Sequence, residues 1–137
     1  MKTILHIEDS DADLLAFRIL TLDAHSDIRI KAVHDGQEAL DLLGTGFIPS
    51  VIVLDIVMPG MGGFKFLETY TNDERIKQKA PVVMLSSSYD DNDRNKAFSF
   101  DTVQDYVCKP LDENTVERIL KAANNSEKHN NIDIELV

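Results

Sequence analysis

A doubly wound α/β domain, with five parallel strands covered by five helices, is the fold class this sequence predicts. Short β-rich runs alternate with longer segments of helical period from end to end. Three of the runs, Ile4-Leu5-His6-Ile7, Val51-Ile52-Val53-Leu54 and Val82-Val83-Met84-Leu85, are almost wholly apolar. Continuous apolar runs suit strands buried on both faces, as in a parallel sheet sandwiched between helices. The length, 137 residues at 43% apolar, suits one domain with one sizeable core.

The first strand is expected over Thr3–Ile7. A helix follows, capped by Ser10 or Asp11, with Leu15, Ile19 and Leu22 as its apolar stripe. Ile28–Val33 reads as the second strand, and Gly36–Leu43 as a helix offering Ala39, Leu40 and Leu43. The third strand is Ser50–Leu54, and the third helix is Phe64–Lys77 with Leu67 and Tyr70. Pro81–Leu85 is the fourth strand. The next helix, Asp90–Phe100, has no apolar residue from Asp90 to Lys96, which predicts a short and marginal element. Val103–Cys108 is the fifth strand. Asp112–Ala123 closes the domain, with Val116, Ile119, Leu120 and Ala123 at helical spacing. The second and fifth strands carry more polar residues and suit the sheet edges. The domain is expected over residues 1–124, followed by a flexible tail over 125–137, where Ile132 to Val137 alternates as a strand would.

Twenty-four acidic residues against 14 basic ones give a net charge of −10, which repels nucleic-acid phosphates and anionic lipid. The densest basic stretch, Arg75, Lys77 and Lys79, is a solvated helix face in spacing. Cys108 is the one cysteine, so no internal disulfide or zinc cluster is available. No apolar run reaches the roughly 18 residues of a membrane span or forms a signal segment. These features predict a soluble cytoplasmic protein that binds neither nucleic acid nor membrane.

Ligands of doubly wound folds lie beyond the C-terminal strand ends. There the sequence places Glu8 and Asp9 after the first strand, Asp55 after the third, Ser86 after the fourth and Lys109 after the fifth. Three carboxylates, a hydroxyl and an ammonium would share one crevice. Crowded carboxylates raise one another's pKa unless a cation relieves them, and Mg²⁺ on carboxylates and waters implies a phosphate partner. Asp9-x-Asp11-x-Asp13 also opens like a calcium loop, but Leu14 and Leu20 stand where that loop needs Gly and Glu. No glycine-rich phosphate loop follows the first strand.

This ordered set resembles the receiver domain of two-component response regulators, of the stand-alone chemotaxis-regulator type with a flavodoxin-like fold. The matching residues are Glu8-Asp9, Asp55 with Met58-Pro59 and Gly63, Ser86 and Lys109-Pro110, and the resemblance spans residues 2 to 123. It implies that Asp55 accepts a phosphoryl group in a phosphorelay, from a histidine kinase or a histidine phosphotransfer protein. It implies Mg²⁺ bound by Asp9, Asp55 and the Val57 carbonyl, with Glu8 assisting. Lys109 and Ser86 would contact the phosphoryl oxygens, Tyr106 would be the aromatic switch, and Lys109-Pro110 would be cis. Val57 and Ser88 would flank the site and tune hydrolysis. Such a chain catalyses its own aspartyl phosphorylation and dephosphorylation and signals to a downstream protein. A small Mg²⁺-dependent phosphotransfer enzyme and a phosphorylation-independent pseudo-receiver are the alternatives. The first lacks a second acid two residues beyond Asp55, where Val57 stands, and has no room for a cap domain.

Overall fold

In a computed structural model, which describes residues 2–58, 60–87 and 89–136 with side chains to Asn125, strands and helices alternate as the sequence predicts. The strands are β1 (Lys2–Ile7), β2 (Ile28–Val33), β3 (Val51–Asp55), β4 (Val82–Ser86) and β5 (Val103–Cys108). The helices are α1 (Asp11–Ala24), α2 (Gly36–Gly44), α3 (Gly63–Asn72), α4 (Asp91–Phe98) and α5 (Glu113–Leu136). All strand pairs are parallel, in the order β2-β1-β3-β4-β5. The two more polar strands are therefore the edges.

Strand alternation divides the core into two layers. Leu5, Ile7, Ile52, Leu54, Val82 and Met84 face α2, α3 and α4, packing on Leu40, Leu43, Phe66, Leu67, Tyr70 and Ala97. Ile4, Val51, Val53, Val83 and Leu85 face the other way, onto Phe17 of α1 and Val116, Ile119, Leu120 and Ala123 of α5. Each such fully buried side chain contributes about 1.5–3 kcal/mol of hydrophobic stabilisation.

Three elements depart from expectation. In α1 the buried residues are Phe17 and Thr21, while Leu15, Ile19 and Leu22 are 58%, 53% and 38% exposed. Apolar residues surround this helix on several sides, so its spacing admits two phases; the aromatic volume of Phe17 fills the core. Next, α3 ends at Asn72 rather than Lys77. Asp73 takes extended backbone, its carboxylate accepts from the Arg75 backbone N–H and guanidinium, and buried Ile76 packs from the following turn. Finally, α5 continues past Ala123 to Leu136 as one helix. Within the expected tail of 125–137, the side chains from 126 onward lie outside the described residues, as do Pro59 and Ser88.

The helix starts are capped as polar side chains at chain turns should be. Ser10 accepts from the Asp13 N–H, Asp35 from Glu38, Asp90 from Asn92 and Asp112 from Thr115. Gly63 opens α3 against β3, its N–H bonding the Ile56 carbonyl at 2.8 Å. A Cβ there would lie 2.5 Å from the Asp55 carbonyl oxygen, so a side chain is sterically barred.

Candidate functional site

The C-terminal strand ends bring the predicted residues together. Glu8 extends β1, its N–H bonding the Val33 carbonyl at 3.0 Å, and its side chain is buried. Asp9 follows at the surface. Asp55 is the last residue of β3 and is 9% exposed. Ligand oxygens of Glu8, Asp9 and Asp55 lie within 4.8 Å of one another. Ser86 is buried at the end of β4, and Ser87 after it is exposed. The Lys109 N–H bonds the Ser86 carbonyl at 2.7 Å, extending the β4–β5 pairing to the lysine. Lys109-Pro110 is a cis peptide.

Lys109 Nζ reaches back across the crevice. It lies 2.7 Å from Glu8 Oε1, 2.9 Å from Asp13 Oδ2 and 3.5 Å from Asp55 Oδ2. Burial disfavours its charge, but hydrogen bonds to Glu8 and Asp13 and the field of Asp55 raise its pKa above the ordinary lysine value. Glu8 moves up as well, first through desolvation and then through the neighbouring Asp55 carboxyl. Asp13 moves down, because it accepts from Lys109. Three carboxyl groups thus face one ammonium, and Asp9 adds a fourth beside Glu8 and Asp55.

That imbalance has a structural signature. Glu8 Oε2 is buried with no hydrogen-bond partner. An orphaned carboxylate oxygen beside two more carboxylates is costly unless a proton or a cation joins it. The oxygen-only donor set fits a hard divalent ion such as Mg²⁺. The residues present therefore fit the metal that the fold implies.

Two further residues of the expected set are Val57 and Tyr106. Val57, two positions beyond Asp55, is 73% exposed, and its N–H lies 3.4 Å from Asp55 Oδ1. Tyr106 is buried on β5. Arg94 of α4 lies over the Tyr106 ring at 5.8 Å and over the Phe98 ring at 5.1 Å. Sequence reasoning missed Asp13. It stood out only in the Asp9-x-Asp11-x-Asp13 run and in the first turn of α1, where an acid is ordinarily explained by the helix dipole.

Residues 4–121 match the model of the response regulator receiver domain. The chain belongs to this family. It is 31% identical over 116 residues to the two-component response regulator ORR5 of Oryza sativa subsp. japonica, covering 85% of this chain and 84% of that protein. It is 28% identical over 123 residues to protein PilH of Pseudomonas aeruginosa, covering 89% and 97%. A two-component response regulator structure from Cytophaga hutchinsonii superposes with a TM-score of 0.81 at 30% identity, over 91% of this chain and 98% of that one. The chain is thus a receiver of two-component signalling with the flavodoxin-like fold. Among the described residues, no helix is long and apolar enough to cross a membrane.

Proposed function

We propose that this receiver accepts a phosphoryl group on Asp55 from the phosphohistidine of a histidine kinase or phosphotransfer protein. The observation that supports it best is the juxtaposition of Asp55, at the floor of the crevice, with the Lys109 ammonium and the Glu8–Asp9 pair. Mg²⁺, held by Glu8, Asp9, Asp55 and the Val57 carbonyl, would supply charge neutralisation on the phosphoryl oxygens.

This chain's own residues do the rest. An Asp55 carboxylate oxygen attacks phosphorus, forming the O–P bond as the P–N bond to the imidazole breaks and its electron pair stays on the ring nitrogen. Lys109, charged throughout, offsets the developing negative charge. The Ser86 hydroxyl, at the adjacent strand end, donates to a phosphoryl oxygen. Nothing here demands a proton donor on the protein, because the departing imidazole draws its proton from solvent.

The added charge, about −1.5 to −2, gives Ser86 and Lys109 a new partner and biases the surface around β5. Tyr106 sits where that bias is read: its ring is buried beneath Arg94, and α4 holds only one buried residue, Ala97. So thinly anchored a helix can shift at low cost. Downstream proteins would read the α4–β5–α5 surface. The donor would dock on α1, whose exposed Leu15, Ile19 and Leu22 run away from the crevice and present apolar area beside the acceptor.

Intact mass after incubation with acetyl phosphate tests the proposal. One phosphoryl group is expected with Mg²⁺, and none without it or in Asp55→Asn. An unmodified wild type that also fails to bind beryllofluoride would favour the phosphorylation-independent module.

A further inference from the structure

An ammonium has three N–H donors. Lys109 directs short contacts to Glu8 Oε1 at 2.7 Å and Asp13 Oδ2 at 2.9 Å, while Asp55 Oδ2 stands off at 3.5 Å. The third donor faces Asp55, and a phosphoryl group there, with its several anionic oxygens, would draw the ammonium towards itself and away from its two short contacts. The Glu8 side chain is 1% exposed, and its Oε1, the oxygen that accepts from Lys109, would be left buried without a donor. The Asp13 side chain is 45% exposed, so water can solvate it when released. The exchange that costs least is therefore the one at Asp13.

Resting on the phosphoryl-acceptor reading above, we propose that Asp13 is the resting-state counter-ion of Lys109, holding the ammonium and ceding it to the phosphoryl group. Asp13 is a positioning residue that acts through Lys109 and touches no reacting atom. It sits in the first turn of α1, 96 positions before Lys109, so the contact also ties α1 to the β5–α5 junction. Breaking it on phosphorylation would loosen that tie and carry the signal to the α1 face.

The test compares beryllofluoride affinity, in the presence of Mg²⁺, for wild type, Asp13→Asn, Asp13→Glu and Asp11→Asn. Asp11 lies on the same helical turn and pairs with His34 at 2.8 Å, so it controls for removing one charge. Asp13→Asn frees Lys109 and is expected to bind roughly 3- to 10-fold more tightly. Asp13→Glu restores the wild-type value, and Asp11→Asn stays within about twofold of it. Equal or weaker binding by Asp13→Asn, or the same gain in Asp11→Asn, overturns the proposal. The Lys109 ¹³Cε resonance of the protein without beryllofluoride gives a readout independent of phosphoryl chemistry. It should move in Asp13→Asn and stay in Asp11→Asn; no movement in Asp13→Asn also overturns the proposal. A wild type that binds no beryllofluoride, with that resonance still responsive to Asp13, would reject the acceptor reading and leave the ion pair standing.

Discussion

Gly63→Ala sets two effects of opposite sign against each other. Helix propensity favours alanine over glycine by up to about 1 kcal/mol. Against this, the new Cβ would lie 2.5 Å from the Asp55 carbonyl oxygen, 2.8 Å from Ile56 Cα and 3.2 Å from the Ile56 carbonyl oxygen. All three are backbone atoms, so no rotamer change relieves them. Reaching ordinary contact requires α3 and the end of β3 to part by roughly 1 Å. Overpacking of that kind costs about 1–3 kcal/mol, and the rigid neighbours put this site at the upper end. The clash wins, with a net loss of about 2 kcal/mol. Urea denaturation should show a midpoint about 1 M lower, for a slope typical of small domains. Because the displaced carbonyl belongs to Asp55, phosphoryl uptake should fall in the folded fraction too. A variant as stable as wild type would refute the close approach of α3 to β3 on which the site geometry rests.

Other perturbations probe the remaining layers. His6 is buried against Phe17, its ring nitrogens have no partner, and burial brings its pKa down to about 4. The unfolded chain binds the proton more readily below pH 6.5, so stability falls as pH drops from there towards 4. Between pH 7.5 and 4.5 the stability of wild type relative to His6→Leu should fall by about 2–3 kcal/mol, read from paired urea curves; a pH-independent difference would contradict a buried neutral imidazole. Ile19→Ser should alter stability by less than about 0.5 kcal/mol, because the side chain is half exposed. The same change should slow phosphoryl transfer from a protein donor while sparing transfer from acetyl phosphate; equal rates from both donors would remove α1 from the docking surface. Phe17→Ala, two residues away on the opposite face and fully buried, should cost about 3–5 kcal/mol by thermal or urea melt, and a loss below 1 kcal/mol would mean that α1 is phased otherwise.

Much of this architecture was legible because parallel strands buried on both faces leave an unmistakable mark. Ile4 to Ile7, Val51 to Leu54 and Val82 to Leu85 could be little else, and the polar residue ending each run had to sit at the crevice. That logic placed Glu8, Asp9, Asp55 and Ser86 at one crevice, and the alternation of strands with helices added Lys109 after the more polar fifth strand. The phase of α1 was not legible, since Leu14, Leu15, Phe17, Ile19, Leu20 and Leu22 offer apolar groups in several directions and packing volume alone chooses among them. Nor was the role of Asp13, because a lysine 96 positions away cannot be read from local spacing. The end of α3 escaped for a related reason: Asp73 terminates the helix through its bonds to Arg75, which helical periodicity does not encode.

Borohydride reduction of the phosphorylated protein, followed by peptide mass spectrometry, tests the central claim most directly, because it converts an aspartyl phosphate to homoserine at the residue that carried it. With Mg²⁺ and a phosphodonor, conversion is expected at Asp55 and at no other carboxylate. Homoserine at Glu8's neighbour Asp9 or at Asp13, or none at any position in phosphorylated protein, would contradict Asp55 as the acceptor.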